Sequence, residues 1–173
     1  MITLKVFVNS IKERLNSWMT SRYVMTSCGY KKYYKIHVNG NKLKLGRDVY
    51  IGSNATILCT FNNVEIADHV VIGPNLTIVE NNHIFNVVGK YIKDCGLTKD
   101  GGVKIETDCW IGANVTILAG VTIGRGCVIG ACSCVTRSLP PYSIAVGTPA
   151  RVVKRRFTET EILEHESCLH IDK

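Results

Sequence analysis

Long apolar runs are missing from this 173-residue chain: none approaches the ~18–20 residues that a helix needs to cross a bilayer. Charges at Lys12, Glu13 and Arg14 interrupt the apolar core that a secretory leader requires. An intracellular, cytoplasmic chain is therefore expected. Paired cysteine motifs are missing too. The eight cysteines include no CxxC pair and no Cys/His cluster with zinc spacing, which favours reduced thiols packed as small hydrophobes. Aromatic residues are scarce, at 8%, and do not interleave with the two basic clusters, Lys12–Lys35 and Arg137–Arg156. With no nucleic-acid motif beside it, the net charge of +7 points to an anionic small ligand or an acidic surface rather than to nucleic acid. The length suits one domain with a substantial core.

What the chain has instead is a period. Large aliphatics lead every sixth position at Leu45, Ile51 and Ile57, then at Ile66, Ile72 and Ile78 after three extra residues around Asn62–Val64. The frame resumes at Ile105, Ile111, Ile117, Ile123, Ile129 and Val135. A six-residue period fits neither a helix nor a hairpin array, and repetition at fixed spacing marks a solenoid. Glycine follows the leader at 46, 52, 73, 112, 124 and 130. Three places after the leader stand Asp48, Asn54, Asn75, Asn81, Asp108, Asn114, Gly120 and Gly126, residue types that tolerate a left-handed backbone. Each hexad thus reads as a short strand ending in a sharp corner. Three such sides close a triangular coil, and stacked coils bury continuous aliphatic ladders.

Outside this frame, Val6, Ile11, Leu15, Trp18 and Met19 predict an amphipathic helix over residues 3–25. It would pack on the scaffold or a neighbouring subunit, with a membrane surface as the alternative. Residues 84–104 leave the repeat and form a polar, glycine-bearing loop projecting from a corner. Thr158 with Glu161 forms a capping box that starts a short C-terminal helix, solvated or covering the end of the coil. The chain divides into an N-terminal helix and connector (1–34), a β-helical domain (35–157) and a C-terminal helix (158–173).

The hexads, above all W-I-G-A-N-V-T-I-L-A-G-V-T-I-G at Trp110–Gly124, resemble those of the hexapeptide-repeat acyltransferases over roughly residues 36–157. That resemblance implies a left-handed parallel β-helix, which the spacing alone does not. Within the family the chain is most similar to the maltose, galactoside and polysaccharide O-acetyltransferases. The implied activity is transfer of an acetyl group from acetyl-CoA to a sugar hydroxyl, better matched by a polysaccharide precursor than a galactoside, since Gly52 stands where the galactoside branch has asparagine. The implied assembly is a homotrimer with sites between subunits. An amino-group acceptor or a xenobiotic is the alternative within catalysis, and a non-catalytic scaffold the alternative outside it.

The string Glu80-Asn81-Asn82-His83-Ile84-Phe85 is similar to the polysaccharide branch's D-H-N-H-x-F, whose second histidine is catalytic and falls on His83. On its own, a histidine at a solenoid corner beside a loop suits proton transfer, or else simply bonds nearby backbone. The resemblance implies that His83 is the general base, with backbone N–H groups near Gly112–Ala113 as candidate oxyanion donors. Glu80, which could orient the imidazole, is grouped with Asn82 and Trp110 as substrate contacts. The family's G-A-G-S-x-V-T-K and G-x-P-A-K-V-I strings match Gly130–Arg137 and Gly147–Val153, which puts acetyl-CoA contacts on Ala113, Ala131, Thr136, Arg137, Arg151 and Lys154. Cys132 replaces a usual glycine and puts that corner's conformation in question. Only His69 and His83 lie in the repeats, so no metal is expected to take part in catalysis.

Overall fold

The computed structural model describes residues 21–24, 34–98 and 101–169. They build a left-handed parallel β-helix of about five turns with three flat faces. Face A stacks β2 (Tyr34–Gly40), β5 (Ala55–Cys59), β8 (Thr77–Ile78), β11 (Thr116–Ile117) and β14 (Cys134–Val135). Face B stacks β3 (Leu43–Leu45), β6 (Val64–Ile66), β9 (Val103–Ile105) and β12 (Val121–Ile123). Face C stacks β4 (Tyr50–Ile51), β7 (Val71–Ile72), β10 (Trp110–Ile111), β13 (Val128–Ile129) and β15 (Ser143–Gly147).

Register follows directly from the period. The leaders align as Val38, Ile57, Ile78, Ile117 and Val135 on face A, and as Leu45, Ile66, Ile105 and Ile123 on face B. On face C the ladder is Ile51, Ile72, Ile111, Ile129 and Ala145. Every leading isoleucine is buried. Coils stacked ~4.8 Å apart give each of these side chains an aliphatic neighbour above and below.

Most corners turn as the residue types require; Asn81, expected among them, does not take a positive φ, because the chain there leaves the coil for the neck of the loop. Asp48, Asn54, His69, Asn75, Asp108 and Asn114 hold φ between 52° and 61°. Cys132 adopts the same conformation at φ 59°, so the substitution at that corner leaves the turn intact. Gly112 serves a different need. A Cβ there would lie 2.6 Å from the backbone nitrogen of Ala131, so glycine is required by the approach of successive coils rather than by φ.

Three elements depart from expectation. Residues 21–24 are not the end of a helix: Ser21–Val24 forms β1, antiparallel to β2 at the start of face A. The rest of the expected N-terminal helix, residues 1–20, lies outside the described residues, as does any membrane contact through it. Val103 and Lys104, expected in the loop, are already in β9. After β15 the chain folds back as β16 (Ala150–Arg155), an antiparallel strand closing face C, through a turn with a cis Thr148–Pro149 bond.

The C-terminal helix α1 (Glu159–Cys168) starts at the expected capping box, with Glu161 N donating to Thr158 Oγ1 at 3.3 Å and Thr158 N donating to Glu161 Oε2 at 2.7 Å. It docks along the B–C corner. Arg156 Nη1 (2.6 Å) and His165 Nε2 (3.1 Å) both contact Asp108 Oδ2, while Glu166 Oε1 accepts from Tyr142 Oη at 3.0 Å. Burial and the Glu166 bond push the Tyr142 phenol up to about 12. No helix among the described residues is long and apolar enough to cross a membrane.

Candidate active site

The residues singled out divide between two corners and one face. At the A–B corner the chain leaves β8 and climbs into the projecting loop. Its two legs form a narrow neck. Thr98 N donates to Asn82 O at 2.8 Å, Ile84 N donates to Gly96 O at 3.0 Å, and His83 pairs with Leu97 in a single antiparallel bridge. His83 and Asn82 are both exposed on this neck. Beyond it the loop carries Phe85, Val88 and Tyr91 into solvent, Val88 completely so, and includes one 3-10 turn at Ile92–Asp94.

Glu80 does something other than the expected contact with substrate or imidazole. It is 2% exposed, and its carboxylate accepts from the backbone N–H groups of Thr60 (2.7 Å) and Phe61 (2.9 Å), and also from Asn62 N. Both oxygens are taken by the turn between β5 and β6. The physical reason is the insertion of three residues in that turn: its amides point between coils with no ladder partner, and a carboxylate on the next coil satisfies them. Asn62, Gly101 and Gly102 belong to the same cluster and were not anticipated. The extra residues around Asn62–Val64 were the available signal.

Thr136 and Arg137 leave β14 at the same A–B edge. Val79 N donates to Ile117 O and Leu118 N to Val135 O, both at 3.0 Å, so Val79, Leu118 and Thr136 form one column, with Thr136 two coils from the root of the His83 neck.

The C–A corner holds Ala113 and Ala131, stacked above Gly73. Asn75 Nδ2 donates to Asn114 Oδ1 at 2.9 Å along this corner. The β15–β16 turn closes over its top, with Gly147 N donating to Ser133 Oγ at 3.0 Å and Thr148 Oγ1 donating to Cys132 O at 3.2 Å. Arg151 pairs with Val146 beside that turn, and Lys154 pairs with Ile144 further along face C. Gly112 N is spent on Ile129 O at 2.8 Å, which leaves Ala113 of the two candidate oxyanion donors.

The expected basic cluster separates into committed and available cations. Arg155 is paired with Glu159 and Arg156 with Asp108. Arg137, Arg151 and Lys154 are exposed and have no carboxylate partner among the described residues. Trp110 stands on face C, 58% exposed, in an outward column with Tyr50, Val71, Val128 and Ile144. One chain therefore does not bring His83 and the Ala113–Ala131 wall together, because face A separates their corners.

Cysteine contributes packing at the sites described. Cys109 Sγ donates to Gly124 O at 3.2 Å and Cys127 Sγ to Pro140 O at 3.1 Å, and burial pushes the Cys109 thiol up to about 12 and the Cys127 thiol upward. His69 is a left-handed corner residue with Nδ1 3.7 Å from Asp48.

A left-handed hexapeptide solenoid with a histidine-bearing loop and unpaired cations on its last coils defines a class of transferase. The family described as bacterial transferase hexapeptide (six repeats) matches residues 102–137, and that described as hexapeptide repeat of succinyl-transferase matches residues 42–80. The galactoside O-acetyltransferase of Lactococcus lactis is 31% identical over 146 residues, 84% of this chain and 68% of that protein. A Mycobacterium tuberculosis protein named a probable acetyltransferase is 42% identical over 117 residues, 68% of this chain and 36% of its own length. The structure of a Vibrio cholerae hexapeptide-repeat acetyltransferase complexed with acetyl-CoA is similar at a TM-score of 0.65 and 31% identity, covering 71% of this chain and 66% of that one. The chain belongs to the hexapeptide-repeat acetyltransferase family. It spans from about a third to about two thirds of the length of these three proteins.

Proposed function

We propose that this chain is an acetyl-CoA-dependent O-acetyltransferase acting on a hydroxyl of a sugar or surface polysaccharide precursor, with His83 as general base. The observation that carries this reading is the position of His83: an exposed imidazole held on a two-legged neck, at the edge of a scaffold whose last coils present Arg137, Arg151 and Lys154 with no carboxylate partner among the described residues. Those cations suit the pyrophosphate and ribose phosphate of acetyl-CoA. The similarity to a galactoside O-acetyltransferase and to a structure holding acetyl-CoA supports the donor and the acceptor class. The cytoplasm, where acetyl-CoA is made, is the compartment this reading requires.

In the reaction, the His83 imidazole takes the proton of the acceptor hydroxyl as that oxygen attacks the thioester carbonyl. The Ala113 amide is available to the tetrahedral oxyanion. Collapse breaks the carbon–sulfur bond, and the imidazolium returns its proton to the departing thiolate. Holding both substrates in one cleft replaces any covalent enzyme intermediate.

The site is formed between subunits of a homotrimer, His83 of one facing the late coils of the next. Two features support this: the separation of the two corners in one chain, and the exposed apolar residues on both the loop and the Trp110 column, which a neighbour would cover. Asn82 and Trp110 are the acceptor contacts in this reading. The test is CoA release with a panel of sugars and amino sugars. His83→Ala should retain acetyl-CoA binding by calorimetry and lose turnover on the order of 10²–10⁴-fold. A fully active variant refutes the base, and a monomer by sedimentation equilibrium refutes the shared site.

A further inference from the structure

The geometry points to Glu80 as a positioning residue for His83, a role that rests on the reading of His83 as the base. Glu80 joins two structures, the turn of the second coil and the neck of the loop. Its carboxylate is sunk in the turn of the second coil, on the amides of Thr60, Phe61 and Asn62. Its carbonyl oxygen accepts from Gly102 N at 2.8 Å and from Asn62 Nδ2 at 3.2 Å, so it also holds the returning leg of the loop. One residue thus clamps both legs of the neck to the solenoid. The next rungs, Asn82–Thr98 and Ile84–Gly96, carry His83 between them.

The packing there leaves no slack. A Cβ on Gly101 would lie 2.0 Å from Glu80 O and 2.4 Å from Asn62 Nδ2, so the returning leg passes against the clamp as bare backbone. Among the described residues the buried carboxylate has no cation beside it, and its partners there are backbone amides. Its charge therefore fixes a geometry rather than neutralising a partner. With the clamp weakened, the neck keeps its own rungs but pivots on the coil, and the imidazole leaves the place where it meets the acceptor hydroxyl.

Glu80→Gln keeps the shape and replaces one acceptor oxygen with an amide that faces an N–H. The variant should lower kcat on the order of 10–100-fold, the effect of a small misplacement of a reacting group, with KM for acetyl-CoA unchanged. Hydrogen exchange should accelerate at the amides of Ile84 and Thr98 while those of face C stay protected. Glu80→Asp, which retains the charge, should recover part of the rate. Glu106→Gln is the matched control: Glu106 also caps a corner amide, Arg125 N at 3.0 Å, and should lower stability without lowering kcat. Should Glu80→Gln fail to fold, Asn62→Ala removes only the bond to Glu80 O and should give the same split between kcat and KM. Unchanged kcat, unchanged exchange at the neck, or an equal loss of kcat in Glu106→Gln overturns the inference. If the wild-type protein acetylates nothing, the functional reading fails, while the exchange measurement still decides whether Glu80 clamps the neck.

Discussion

The coils and the loop that leaves them are built on opposite terms. In the coils, a side chain's fate is set by its place in the hexad: Ile117 is buried between Ile78 and Val135, with aliphatics above and below. In the loop, Phe85 and Val88, as apolar as the leaders, stand in solvent, as does Tyr91. The coils need little beyond their own period, whereas the loop depends on a few contacts at its root and on whatever covers its tip. Stability is concentrated in the repeat, and the proposed base, His83, stands where the repeat is broken.

Paired substitutions test that contrast most strongly. Ile117→Ala should cost about 2–5 kcal/mol in denaturant unfolding, whereas Val88→Ala should change the stability of the isolated chain by less than ~0.5 kcal/mol. Equal losses would mean that the loop is part of the core. A second contrast separates chemistry from donor binding. The double variant Arg151→Ala, Lys154→Ala should weaken acetyl-CoA affinity by calorimetry while leaving folding intact, the opposite of the behaviour expected of His83→Ala. Unchanged affinity would move the donor site elsewhere. A smaller effect is expected at the C-terminal helix, where Thr158→Ala removes the capping oxygen and should cost ~1 kcal/mol.

The smallest effect is an acid one. The Lys104 bond holds the Glu106 carboxyl below the usual carboxylate range, assisted by the Arg125 amide against the opposing effect of burial. A group with a depressed folded-state pKa contributes stability that is present above its unfolded value, ~4.3 for glutamate, and that is lost as pH falls through the folded value. Glu106→Gln should therefore flatten the decline of melting temperature in that acid window and leave the neutral-pH slope unchanged.

Much of the fold was legible because its rules are local and repeated. Isoleucine at 105, 111, 117, 123 and 129 needed only the period to be assigned inward, and Asn54, Asn75 and Asn114 needed only their tolerance of positive φ. Thr158 and Glu161 lie three residues apart, so their mutual cap could be read from the string. What escaped depends on which residues stack across coils. Glu80 and the turn at 60–62 are about twenty residues apart and meet only because one coil lies over another. The same holds for Asp108, which receives Arg156 and His165 from beyond the repeat. For the site, the residues of the cofactor wall could be proposed from their motifs. Their division between two corners could not, since the corner follows from a count of sides that the loop before β9 and the fold-back of β16 interrupt.

The reversed strands on the first strand of face A and the last strand of face C bear on end-to-end association. A stack of parallel coils is an open template, able in principle to add another molecule end to end as a growing fibre. Here β1 runs antiparallel on the first strand of face A, and β16 runs antiparallel on the last strand of face C. β16 also carries the exposed Arg151 and Lys154, so a second molecule approaching that edge meets a strand of the wrong direction and charges that it would have to desolvate. Each end of the stack thus presents one reversed strand, on face A at the first coil and on face C at the last, against the addition of a further parallel coil.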